Sequence, residues 1–164
     1  MKILYIHGLN GSLSPEKREI LEQFGEVFSP AINYEANPKA IEDLIQSFKS
    51  KDIKIVMGSS MGGFSGYYVS NSLQCPALLF NPALAERTVY QIVPDITNKK
   101  SSYKQIVLGT QDDIVKPRKT LNFLAETLML QPQYKIHVHN NLAHRIPLDI
   151  FEEEVNLFFQ QLTL

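Results

Sequence analysis

Short apolar runs alternate with stretches of helical periodicity along the whole chain. The runs are Lys2–Ile6, Glu26–Phe28, Ile53–Met57, Ala77–Phe80, Gln105–Leu108 and Lys135–Val138. Several are rich in Ile and Val and are bounded by Gly, Pro or Asn, which is the composition and punctuation of strands. Ile3–Ile6 and Ile53–Met57 are apolar at almost every position, as expected of strands covered on both faces in a parallel sheet. Between the runs, Ser14-Pro15-Glu16 reads as a helix start: a capping hydroxyl, then proline in the first turn, then an acid. Asn37-Pro38 repeats the device, followed by Ile41, Leu44, Ile45 and Phe48 at helical spacing. Pro117 opens a third helix with Leu121, Leu124, Ala125 and Leu128 on one face. A last helix starts near Pro147 and carries Ile150, Phe151, Val155, Phe158 and Phe159 inward. This alternation predicts a doubly wound, mostly parallel six-stranded sheet with helices on both faces.

The rhythm fails over Ala83–Ser102, which holds Pro94, Asp95, Asn98, Lys99 and Lys100. It reads as a short helix and then a loop, and is the one candidate for an elaboration over a site. The 164 residues suit a single domain, 1–164, and 44% are hydrophobic, enough to bury one core. A formal net charge of −1 argues against a broad footprint for nucleic acid or an anionic membrane. The lone cysteine, Cys75, excludes a disulfide within the chain and favours a cytoplasmic address. The first strand is too short for a signal-peptide core, and no stretch reaches the ~20 apolar residues of a membrane helix.

The chemistry concentrates at Gly58-Ser59-Ser60-Met61-Gly62-Gly63, which follows a strand and precedes a helical stretch, Phe64–Leu73. A Gly-x-Ser-x-Gly turn in that setting is a nucleophile elbow, and only Ser60 fits its frame. Gly58 and Gly62 must be small so that strand and helix can close around a strained serine. Gly63 and Gly66 are expected to let the helix pack on the sheet. A phosphate loop is disfavoured, because no Lys-Ser or Lys-Thr closes the glycine run.

A serine hydroxyl needs a base. His137 and His139 alternate on one strand face and read as a structural or surface pair. His7 ends the first strand and reads as a shaper of the next turn. His144 lies in a loop after the last strand, at the sheet edge where such sites assemble. The orienting acid should fall between serine and histidine in the chain. Asp112 is preferred, Asp113 is the substitute, and Asp95 is a distant third. The oxyanion donors are the Met61 N–H and the Leu9 N–H, with Gly8 and Gly11 expected to curl the backbone toward the site. No cofactor and no metal are needed.

His7-Gly8 after the first strand, Gly58-x-Ser60-x-Gly62, Gly109-x-x-Asp112 and His144 together resemble the α/β-hydrolase superfamily, over essentially the whole chain. His7-Gly8-Leu9-Asn10-Gly11-Ser12 and Phe80-Asn81-Pro82-Ala83 resemble the small YqiA-like esterases. The resemblance implies a minimal α/β-hydrolase fold without a large lid, and cofactor-free cleavage of a small carboxylic ester through an acyl-serine. The lack of a His-Gly-Gly-Gly segment argues against lipase-like specificity. Met61, Phe64 and Ala83–Ser102 are the expected walls, and short acyl chains the expected substrates. Thioesterase or amidase chemistry would use the same residues. A non-catalytic binding protein on this fold, or a flavodoxin-like binding module, would not need them.

Overall fold

A computed structural model describes residues 1–95, 102–130 and 132–162. Six strands form one parallel sheet: β1 (Lys2–Ile6), β2 (Glu26–Phe28), β3 (Ile55–Ser59), β4 (Ala77–Phe80), β5 (Lys104–Gly109) and β6 (Tyr134–His139). They lie in the order β2-β1-β3-β4-β5-β6. The helices are α1 (Pro15–Glu22), α2 (Ala40–Phe48), α3 (Met61–Leu73), α4 (Pro117–Glu126) and α5 (Leu148–Leu162). Residues of α2, α3 and α4 pack in the core on one face of the sheet, and residues of α1 and α5 in the core on the other. The chain leaves β1 for β2 on one side and then crosses back to β3 on the other. The crevice above β1 and β3 is thus the switch point at which doubly wound sheets gather their sites.

The strand runs fall where the apolar pattern places them, with β1, β2 and β4 matching end to end. Ser14 caps α1, its Oγ accepting from the Lys17 N–H at 3.4 Å with Pro15 in the first turn. α2 starts past Pro38, at Ala40, because the Asn37 side chain accepts from the Lys39 N–H and holds the chain in a turn first.

Two expectations fail. α4 turns Thr120, Phe123 and Leu124 inward and leaves Leu121 and Ala125 exposed, and Leu128, in a 3-10 turn beyond its end, is exposed too. β6 is an edge strand, so the sheet gives the helix's outer flank nothing to cover. Residues 83–95 form no helix, and 96–101 lie outside the described residues. Tertiary partners take the hydrogen bonds that a helix would need. The Ala83 N–H donates to Ser60 O at 3.1 Å and the Ile92 N–H to Pro38 O at 2.8 Å. Buried Gln91 donates through Nε2 to Tyr34 O and Asn37 O at 2.9 and 3.0 Å.

Candidate active site

β3 ends at Ser59, and α3 begins at Met61. Ser60 is the single residue between them, with φ 56° and ψ −117°. An L-residue held at positive φ stores strain, and a site that must lift a side chain above the sheet is where such strain persists. The turn closes only because its glycines lack side chains. A Cβ on Gly58 would stand 2.3 Å from Gly62 O, and one on Gly62 would stand 1.9 Å from Ile6 O. Gly66 faces the Leu79 and Val56 side chains of the sheet as expected, whereas Gly63 meets Pro82 beyond β4.

The turn after β1 lies directly against this elbow. A Cβ on Gly8 would come within 3.4 Å of Ser60 Cβ and 4.0 Å of its Oγ. The curl itself is not made by glycine. Among the described residues no glycine has positive φ; Asn10 does, at 52°, within a turn closed by the Gly11 N–H to Gly8 O at 3.1 Å. Asn tolerates the left-handed region better than other residues with a Cβ. Gly8 thus serves close approach rather than curvature. His7 holds the turn from below. Its Nε2 accepts from the Ile32 N–H at 2.9 Å, which leaves Nδ1 to donate to Gly8 O at 2.6 Å. Both ring nitrogens are occupied, and the ring is buried.

The loops after β5 and β6 are stitched together. The Thr110 N–H donates to His139 O and the Gln111 N–H to Leu142 O, each at 3.0 Å. This brings the Asp112 Oδ2 to 2.8 Å from the His144 Nδ1. The other carboxylate oxygen, Oδ1, accepts from the Ile114 and Val115 N–H groups at 2.9 and 2.8 Å. Asp112 is buried, while Asp113 and Asp95 are exposed. With Nδ1 engaged, Nε2 is the ring nitrogen left to accept a proton. His144 and Ser60 line one cavity of about 1110 Å³, together with Leu9 and Met61. Among the described residues no hydrogen bond links Ser60 Oγ to His144.

Asn81 joins these loops, a task no sequence pattern assigned to it. Its Nδ2 donates to Ala143 O at 3.0 Å and to His144 O at 3.3 Å, and its Oδ1 accepts from the Gly109 N–H at 2.8 Å. It is buried at the end of β4 with φ 40°. An asparagine placed between a fully apolar strand and Pro82 was the available signal. Phe64 is not a wall of the cavity. It is fully buried, with the Arg87 guanidinium 4.0 Å above its ring. Residues of 83–90 and Met61 do line the cavity.

Among the described residues no helix is long and apolar enough to cross a membrane, and no cluster of His, Cys, Asp and Glu has the form of a metal site. No curated protein matches the chain in sequence. Among solved structures it resembles Est1E from Butyrivibrio proteoclasticus, with TM-score 0.71, 16% identity, and coverage of 98% of this chain and 87% of that one. It also resembles the thermophilic esterase Est2 of Thermogutta terrifontis, solved with butyrate bound, with TM-score 0.70, 14% identity, and coverage of 99% and 82%. A Bacillus cereus carboxylesterase superposes with TM-score 0.66 at 13% identity, over 96% of this chain and 87% of that one. These likenesses establish the α/β-hydrolase fold. Residues 2–96, which hold the β1 turn, the elbow and Asn81, match the uncharacterised protein family UPF0227, and the chain belongs to that family.

Proposed function

We propose that the protein is a serine hydrolase that cleaves small, short-chain carboxylic esters. Ser60 is the nucleophile, His144 the general base and Asp112 the acid that orients it. The observation that carries this reading is the pairing of a strained Ser60 with His144 in one cavity, while a buried carboxylate engages the imidazole from behind.

Ser60 Oγ attacks the ester carbonyl carbon as His144 Nε2 takes its proton. The carbonyl π electrons move to oxygen, and the Leu9 and Met61 N–H groups stabilise the resulting oxyanion. Met61 opens α3, so its N–H lacks an intrahelical acceptor and adds the positive end of the helix dipole. Collapse of the intermediate breaks the bond to the alcohol, which leaves with the proton from His144. Water then gives a proton to the same nitrogen and attacks the acyl-serine, releasing the acid and restoring the hydroxyl. Asp112 stays ionised throughout; its Oδ1 is committed to two backbone donors. The Ser60–His144 hydrogen bond closes when substrate excludes water, as such bonds often do.

Short acyl chains are the expected substrates because, among the described residues, the elaboration beside the site is the short segment 83–95. The buried, unpaired Cys75 fits a reducing compartment, and the cytoplasm is the proposed location. The test is labelling by a fluorophosphonate probe, followed by a screen of short esters, thioesters and amides with Ser60→Ala as control. Labelling at Ser60 with ester turnover is expected. A chain that neither labels nor turns over any member would be a binding protein on a hydrolase fold. Preference for thioesters or amides would change the bond and keep the residues.

A further inference from the structure

We infer that the cavity beside Ser60 receives an ester bearing a negatively charged oxygen group, a carboxylate or a phosphate; the inference rests on the proposed hydrolase reading only for the bond that is cut. The chain as a whole has no cationic excess, with 16 Lys and Arg against 17 Asp and Glu. Its cavity does. Lys17 from α1, Arg87 from the segment after β4 and Arg145 from the His144 loop all line it, against one carboxylate, Glu86. Glu86 is already paired with Lys119.

None of the three cations forms an ion pair among the described residues. Lys17 is half-buried. Its Nζ donates to Ile146 O at 2.7 Å and sits 5.0 Å from the Phe151 ring centroid. An ammonium has three donors, so this leaves capacity for an acceptor. Burial lowers the Lys17 pKa, and the charge of Arg145 lowers it further, so the two cations feel each other without a carboxylate between them. The Arg87 guanidinium sits over the Phe64 ring, with Nη1 donating to Leu84 O at 3.4 Å. Its Nε is buried and has no hydrogen-bond partner. Buried donors without partners are rare in folded chains, and Arg87, which lines the cavity, keeps donor capacity that its own chain does not fill. Lys17 and Arg145 disfavour each other, a cost that an anion between them would offset. The volume of about 1110 Å³ also exceeds what a short acyl chain fills, leaving room for a charged portion.

The test pairs substrates that differ in charge. Charge on the acyl side is read from 4-nitrophenyl hemisuccinate against 4-nitrophenyl butyrate. Charge on the alcohol side is read from the acetate ester of glycerol 3-phosphate against that of glycerol. At low salt, one anionic member should be favoured about ten-fold in kcat/KM, and the ratio should shrink several-fold at high salt. Arg145→Met, an exposed position, and Arg87→Met should each lower that ratio about three- to ten-fold, with thermal melts confirming the fold. Lys135→Met, on the far edge strand, should leave it unchanged. A binding arm is independent of chemistry: monomethyl succinate should bind Ser60→Ala more tightly than dimethyl succinate by calorimetry. Equal treatment of charged and neutral members in both arms would overturn the inference, as would a preference that survives both arginine substitutions. Charge-selective binding without turnover of any ester would uphold the anion site and defeat the hydrolase reading. Turnover blind to charge would do the reverse.

Discussion

Among the described residues two histidine–carboxylate clusters share the last third of the chain, and they differ in what surrounds the imidazole. Behind the cavity, Asp112 gives one oxygen to His144 and the other to two backbone N–H groups. Against α5, the buried Glu154 gives one oxygen to His139 Nε2 at 2.6 Å. Its other oxygen meets His137 Nδ1 and Gln105 Nε2, each at 2.7 Å. The short distances are alike, and both carboxylates are buried. What differs is the surroundings. His144 shares its cavity with a hydroxyl raised on a strained turn; His137 and His139 line no such cavity and fasten β6 to α5. An imidazole–carboxylate pair becomes a catalytic device only where the second ring nitrogen has a nucleophile to serve. The histidine pair read from the sequence as structural is a clamp of this second kind.

The sharpest way to break this contrast is to remove the serine or the imidazole. Ser60→Ala and His144→Ala should each lower kcat by about 10³-fold or more, and the double variant should lose little beyond either single one. Independent, multiplying losses measured on purified protein would contradict a shared device. Asp112→Asn should come next, lowering kcat by about 10²- to 10⁴-fold while the fold survives. Asp113→Asn, at the neighbouring exposed position, should stay within about two-fold. A reversal of these two would move the acid by one place. Asn81→Ala removes the link between β4, Gly109 and the His144 loop. It should cost kcat roughly ten-fold through misplacement of the imidazole, with a smaller change in KM.

The clamp should behave in the opposite sense. Glu154→Ala leaves His137, His139 and the Gln105 amide without their carboxylate acceptor. It should lower stability by about 2–4 kcal/mol in denaturant titrations, because buried polar groups without partners are costly. Its kcat, measured well below the melting transition, should change less than about three-fold. A folded Glu154→Ala protein that has lost turnover would show that the clamp holds the His144 loop as well as the helix.

The chain's local pattern determined the sheet, the order of its elements and the elbow. Apolar runs declare strands, Ser14-Pro15 declares a helix start, and Gly58-x-Ser60-x-Gly62 declares a tight strand-to-helix turn, since each is a pattern legible over a few neighbouring residues. At that level Asp112 is preferred to Asp113, but both remain carboxylates of one loop. Their burial and contacts diverge when the Gln111 N–H meets Leu142 O and a Gly109 without a Cβ lets the two loops touch, because a Cβ there would stand 2.2 Å from that same oxygen. The missing helix at 83–95, the inward face of α4 and the work of Asn81 were also decided there. In each, the deciding hydrogen bond or cover comes from residues far away in the chain, and periodicity carries no record of partners that only folding brings near.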